Sequence, residues 1–131
     1  MMKLSLFNKQ SNKGKQAENI ACEHLIKNGL KLIDKNFNSR YGEIDLIMQH
    51  KNTLVFVEVR YRKNADYGGA KASITPGKQS KVRKTALYYM QLKGREFESR
   101  IDVVAITETA DNLTETKNQN ALDIEWIQNA F

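Results

Sequence analysis

Gly42-Glu43-Ile44-Asp45-Leu46-Ile47-Met48 and Leu54-Val55-Phe56-Val57-Glu58-Val59-Arg60-Tyr61 stand on either side of the polar Gln49-His50-Lys51-Asn52-Thr53. Two β-rich runs separated by a short polar break predict an antiparallel hairpin of strands over 43–48 and 54–61. A symmetric loop centred between Lys51 and Asn52 sets Asp45 opposite Glu58 and Glu43 opposite Arg60. Directly opposed side chains have Cβ atoms ~4.5–5.5 Å apart, so two carboxylates share a face at close range. Beside Leu54 and Phe56, such a pair either raises its own pKa or takes up a cation, and all-oxygen ligation favours magnesium or manganese over zinc. Period-two alternation puts Arg60 on the Glu58 side of its strand, so a basic group flanks the acids. A plainer arrangement stays open, in which Glu58 and Arg60 are edge-strand charges paired with Glu43 and another residue.

Working outward from the hairpin, helices alternate with strands. Over Lys13 to Asn28, Ala17, Ile20, Ala21 and Leu25 fall on one helical face, and Gly29 follows as a stop. Lys31 to Phe37 alternates as a strand. After the hairpin, Lys63 to Gly77 is a Gly-containing loop with the only proline, Pro76, near its end, where a second helix begins. That helix carries Val82, Ala86, Tyr89 and Met90 on its apolar face, leaving Lys81 and Lys84 on others. Ile101 to Ile106 reads as a buried strand, Glu108 to Asn120 as a polar loop, and Leu122 to Ile127 as a final alternating strand. The expected class is α/β: a mixed sheet flanked by helices in the order α-β-β-β-α-β, with a further C-terminal strand.

A chain of 131 residues suits one domain able to bury a core without disulfide or structural-metal support. We expect a loose N-terminal tail over 1–12 and a single domain over 13–131. No apolar run approaches the ~20 residues of a spanning helix, so no membrane partner is expected. Cys22 stands alone, with no zinc-ligand spacing around it, which fits a reducing, cytoplasmic setting. Net charge is +6, unevenly spread. Between Arg60 and Arg95 lie Arg60, Arg62, Lys63, Lys71, Lys78, Lys81, Arg83, Lys84, Lys93 and Arg95 against one acid, Asp66, a local charge of +9 with −3 for the remainder. Such a footprint suits a polyanion such as DNA or RNA; a solvated lysine-rich face is the alternative.

The blocks Gly42-Glu43-Ile44-Asp45-Leu46-Ile47 and Val55-Phe56-Val57-Glu58-Val59-Arg60-Tyr61-Arg62 resemble those of the YraN family of bacterial proteins. Ala17-Glu18 upstream, Arg100-Ile101-Asp102-Val103-Val104-Ala105 downstream and the ending Asn129-Ala130-Phe131 fit the same likeness, which runs from about Lys13 to the end. That family is similar to Holliday-junction resolvases and restriction endonucleases of the PD-(D/E)xK type. The resemblance implies a restriction-endonuclease-like fold and a metal-dependent endonuclease that hydrolyses DNA phosphodiesters with magnesium or manganese. It implies Asp45 as the motif aspartate and Glu58 as the (D/E) position, the two metal ligands. Arg60 falls at the lysine position, and Glu18 matches the glutamate of the first helix.

Arginine at that position is a departure. It stays protonated at any working pH and cannot be a general base, although its fixed fork can bind a phosphate oxygen and stabilise developing charge. Lys78 or Lys81, at the start of the second helix, is an alternative source of the missing lysine. Arg62, Lys63, Lys78, Lys81 and Lys84 are the candidate nucleic-acid contacts. A non-catalytic nucleic-acid binder on a degenerate nuclease fold and an adaptor for an acidic protein remain alternatives, and a homodimer is left open. Among single residues, Glu18 at the edge of the first helix is the commoner surface glutamate unless the family likeness holds. His24 and His50 lack partners at ligand spacing and read as surface residues. Cys22 reads as a small packing residue. Tyr41, Tyr61 and Tyr67 can stack on bases but read as packing residues with a wet hydroxyl.

Overall fold

The computed structural model describes residues 13–63, 74–94, 98–108 and 122–131. Helix α1 (Lys13–Lys27) leads into strands β1 (Lys31–Ser39), β2 (Gly42–His50) and β3 (Thr53–Arg62), followed by helix α2 (Pro76–Leu92) and strands β4 (Ser99–Glu108) and β5 (Leu122–Ile127). This is the element order expected from the sequence. The strands form one mixed sheet in the order β1-β2-β3-β4-β5, antiparallel except for the β3–β4 pair. Neighbouring parallel strands need a long crossover, and α2 supplies it. The expected tail over 1–12, most of the loop between β3 and α2, and residues 109–121 lie outside the described residues.

Helix α1 buries Ala17, Ala21, Cys22 and Leu25 on one sheet face, against Leu46, Met48, Val55, Val57, Val59, Val104 and Ile106. It stops at Gly29, whose φ of 98° suits a residue without Cβ, and the Leu30 N–H donates back to Leu25 O at 3.1 Å. Helix α2 starts at Pro76, after Thr75, whose hydroxyl accepts from the Lys78 N–H at 3.2 Å. Its Val82, Ala86, Tyr89 and Met90 pack on the opposite face against Ile44, Ile47, Leu54, Phe56 and Ile101. Thr85 is buried with them. Strand β3 is covered on both sides, so Leu54 to Val59 is one continuous buried run that includes Glu58.

The hairpin has the expected register through its tip. His50 pairs with Thr53 around Lys51-Asn52, and the ladder runs to Leu46–Val57. There it stops, one pair short of Asp45 and Glu58. The expected Glu43–Arg60 pairing is therefore corrected: Glu43 pairs with Asn38 of β1, and Arg60 with Ala105 of β4. The cause lies in β1. Asn36 has φ 50°, a left-handed conformation that Asn tolerates better than most residues, in the middle of a strand. On one side of it Lys35 reaches Asn19 of α1 at 2.9 Å; on the other Phe37 packs edge-on against Tyr89 of α2. In β2 the exchange falls at Asp45, because Leu46 faces α1 while Ile44, two residues earlier, packs with α2. The simple alternation expected for Lys31 to Phe37 is broken here, and also by a register shift between Leu32 and Asp34.

At the other end of β4, the fully buried Asp102 accepts from Arg100 Nε at 2.9 Å, Trp126 Nε1 at 2.9 Å and the Asn129 N–H at 2.9 Å. Arg100 Nη2 lies 3.0 Å from His50 Nδ1, so His50 is a partner in this network and not the surface residue expected. The network ties β5 and the chain end to the start of β4, where the Ala130 N–H donates to Ile101 O at 2.7 Å. Removing Asp102 leaves three donors, the partly buried Arg100 guanidinium among them, without their acceptor. Asp102→Ala is therefore expected to lower stability by about 3–5 kcal/mol in urea unfolding. Asp102→Asn, which keeps an acceptor, should cost visibly less. A shift under about 1 kcal/mol for Asp102→Ala would mean that β5 is held by its ladder alone.

Candidate functional site

Glu58 is 2% exposed, set between buried valines in the central strand. A carboxylate in such a place normally has its oxygens satisfied. Here, among the described residues, Oε1 has only Arg60 Nη2 at 4.0 Å, and Oε2 is buried with no hydrogen-bond partner. Arg60 Nε is likewise buried and has no partner among the described residues. Alternation places both side chains on the α2 side of β3, with Phe56.

Asp45 comes to the same place by the parting of β2 from β3. Its Oδ2 accepts the Val59 N–H at 2.8 Å, taking up a backbone donor beyond the last β2–β3 pair. Asn36 joins two more acids to this edge. Its Nδ2 donates to Glu18 Oε1 of α1 at 2.9 Å and to Glu43 Oε2 at 3.3 Å. Four carboxylates, Glu18 of α1, Glu43 and Asp45 of β2 and Glu58 of β3, are thus linked where β2 and β3 part: Glu18 and Glu43 act on Asp45, and Asp45 and Glu43 on Glu58. Their charges act on one another. Burial pushes the Asp45 carboxyl up to about 6, with Glu18 and Glu43 adding to the rise while the Val59 N–H and Arg60 oppose it. Burial pushes Glu58 further, to about 8, with Asp45 next in effect and Lys78 and Arg60 pulling it down.

The structure thus brings together Asp45, Glu58, Arg60 and Glu18 of the expected residues. Lys78, on the first turn of α2, acts on Glu58 ahead of Arg60. Arg62 and Lys63 are exposed at the end of β3, two and three residues past Arg60. Lys81 lies at the base of the β1–β2 turn, its Cβ 3.5 Å from where a Cβ on Gly42 would stand. Lys84 is farther along α2, beside Tyr41 and Tyr88. Asn36 was missed by sequence reasoning. The sequence held only a weak hint of it, an asparagine inside a strand pattern, which by itself does not separate a bend from a ladder position.

Among the described residues, no group of three acidic, His or Cys side chains has the arrangement of a metal cage. Magnesium, however, is commonly held by one or two carboxylates, with water and substrate phosphate completing its shell. The orphaned Glu58 Oε2 beside Asp45 fits that open mode of binding; a closed structural site it does not fit.

A five-stranded mixed sheet with a helix on each face, and buried acids where β2 and β3 part, defines an α/β protein. Residues 17–106 match the profile of the Uncharacterised protein family UPF0102, and the chain belongs to that family, the YraN-like family to which its Gly42–Ile47 and Val55–Arg62 blocks pointed. It is 46% identical over 131 residues to a UPF0102 protein of Psychromonas ingrahamii, covering 99% of this chain and 98% of the relative. With a UPF0102 protein of Nitrosomonas europaea it shares 44% identity over 120 residues, 92% of this chain and 93% of the relative. With one of Stutzerimonas stutzeri the figures are 40% over 127 residues, 95% and 98%. No helix among the described residues is long and apolar enough to cross a membrane.

Because Asp45 and Glu58 hold protons to higher pH when folded than when unfolded, the folded state binds more protons between the ordinary carboxylate range and about 8. Their contribution to stability is full below that interval and is lost as pH rises through it. The melting temperature should therefore fall between pH 5 and pH 8.5 in the absence of divalent ions. Glu58→Gln should flatten this dependence and melt about 3–10 °C higher than the parent at the alkaline end. An unchanged slope in Glu58→Gln would assign the dependence to other groups.

Proposed function

We propose that this chain is a nucleic-acid-binding protein of the restriction-endonuclease-like, PD-(D/E)xK type that hydrolyses DNA phosphodiesters with magnesium or manganese. The observation that carries the reading is the buried Glu58, with an unsatisfied oxygen, beside Asp45 and flanked by Arg60 and Lys78. Asp45 and Glu58 would hold the divalent ion, which when bound would supply Lewis acidity at the phosphate. The chain's own groups do the rest. Arg60 presents its guanidinium to a non-bridging phosphate oxygen, a role supported by its buried Nε, which has no partner among the described residues, and stabilises the charge that develops there. Lys78 adds a second positive charge from α2. The Val59 N–H holds Asp45 in place, and Glu18 acts through Asn36, which fixes the α1 side of the opening.

The second reading, a non-catalytic nucleic-acid binder on a degenerate nuclease fold, is favoured by one specific feature: arginine, which cannot take up a proton, stands at the lysine position. Single-turnover assays on single-stranded, duplex, flapped and four-way DNA, each with magnesium or manganese, separate the two. Under the nuclease reading Arg60→Ala lowers the cleavage rate by about 10²–10³-fold while leaving metal binding intact, and Arg60→Lys retains or raises activity. Failure of the wild-type protein to cut any of these substrates would leave the binding-only reading. In either case, replacing Lys78, Lys81 and Lys84 together with Ala should weaken DNA binding and reduce the salt slope by as much as about 3. Unchanged binding removes α2 from the contact surface.

A further inference from the structure

The β1–β2 turn is fastened to α2. Ser39 Oγ lies 3.3 Å from Thr85 Oγ1, the Tyr41 N–H donates to Ser39 Oγ at 3.0 Å, and Gly42, with φ 152°, lets the chain leave the turn against Lys81 and Thr85. This holds Tyr41 beside Tyr88, with ring centroids 6.1 Å apart and planes at 70°. Phe37 backs Tyr88 at 6.2 Å, and the Arg40 guanidinium lies over the Tyr41 ring at 5.2 Å while its Nη2 donates to the Tyr41 hydroxyl. Between turn and helix opens a cavity of about 290 Å³ lined by Tyr41, Lys84, Leu87, Tyr88 and Gln91. None of the five is acidic, and Leu87 is 59% exposed, an apolar side chain largely open to solvent.

We propose that this cavity is a binding site for an unpaired nucleobase, so that single-stranded or branched nucleic acid is the ligand class of the neighbouring site. The proposal rests on the nucleic-acid reading above and deepens it. Two aromatic rings set nearly at right angles offer a face for stacking and an edge against it, which a base buried in a duplex cannot reach. Lys84 supplies a cation for the backbone phosphate, and the Gln91 amide has both a donor and an acceptor for a base edge. Placement agrees. Lys81, Lys84, Tyr88 and Gln91 follow one flank of α2 at helical spacing, leading away from Lys78 and Glu58. At ~1.5 Å per residue, Lys84 and Tyr88 lie roughly 9–15 Å along the helix from Lys78, about three to four stacked nucleotides from a phosphate at the acidic opening. Tyr41, read from sequence as a packing residue, thereby gains a contact role.

The test is fluorescence anisotropy with a labelled single-stranded DNA, the same strand carrying consecutive abasic residues at its centre, a blunt duplex, and a single-stranded RNA of the same sequence. The intact strands should bind about 5–100-fold more tightly than the abasic strand. Tyr41→Ala should remove that advantage without changing the salt slope, whereas Lys84→Ala should weaken intact and abasic strands alike. Tyr88→Leu serves as a second variant, and thermal melts show that each protein is folded. A 2-aminopurine in the strand should lose fluorescence on binding to the wild-type protein and not to Tyr41→Ala. Salt-sensitive binding with equal affinity for intact and abasic strands, or with no effect of Tyr41→Ala and Tyr88→Leu, overturns the base site while leaving the nucleic-acid reading standing. Absence of salt-sensitive binding to every strand overturns both.

Discussion

A carboxylate buried in the central strand of a sheet, covered on both faces, is the constraint around which the rest is arranged. Removing Glu58 from water disfavours its charged form strongly, and a protein interior compensates such a group with hydrogen bonds or an opposite charge. The adjacent strand provides neither. It parts from β3 at Leu46–Val57 and brings in a second acid, Asp45, fixed by the Val59 N–H. The parting depends on Asn36, whose left-handed conformation exchanges the faces of β1 and, across the ladder, of β2. The same side chain then reaches Glu18 and Glu43, so the residue that bends the sheet also collects the acids at the bend.

Asp102 shows that this arrangement is not a general tolerance of the core for acids. It lies in the strand next to Glu58, is just as deeply buried, and has donors from Arg100, Trp126 and Asn129. One acid is saturated and serves the fold by tying three segments together. The other is left with an unsatisfied oxygen and a distant guanidinium. Within one sheet, the difference in satisfaction separates a carboxylate that holds structure from one available to a ligand.

The hairpin was legible because a short polar break separates two β-rich runs, and a symmetric loop centred between Lys51 and Asn52 sets the register that the His50–Thr53 pair has. Both helices were legible from their apolar periodicity, and six of the seven elements begin and end within two residues of the boundaries read from sequence, while the second helix was read only at its start. The kink was not legible, because Lys31 to Phe37 alternates through Asn36 and an asparagine in a ladder looks the same as one in a left-handed turn. That single residue shifted Ile44 to the α2 side and ended the β2–β3 ladder before the expected Asp45–Glu58 pair. The Asp102 clasp was unreadable for another reason: two of its donors lie 24 and 27 residues away, and Arg100 meets His50 across 50. Period-two arguments carry no information over such separations.

Topology bears on Arg60, which under the proposed reading stands where the nuclease motif has lysine. A helix that links parallel neighbours must run back along the sheet, so its first turn lies near the end of the strand that precedes it. The start of α2 is therefore brought to the region of Glu58 and Arg60 by the β3–α2–β4 connection itself, and Lys78 stands on that turn. A flexible ammonium there can occupy the space a lysine on the strand would fill, while the rigid fork of Arg60 serves a phosphate oxygen that an ammonium binds with less geometric definition. Under the proposed reading, two functions that one lysine would combine are divided between a strand and a helix. The substitution at position 60 then changes which element carries the mobile cation, without removing that cation from the site.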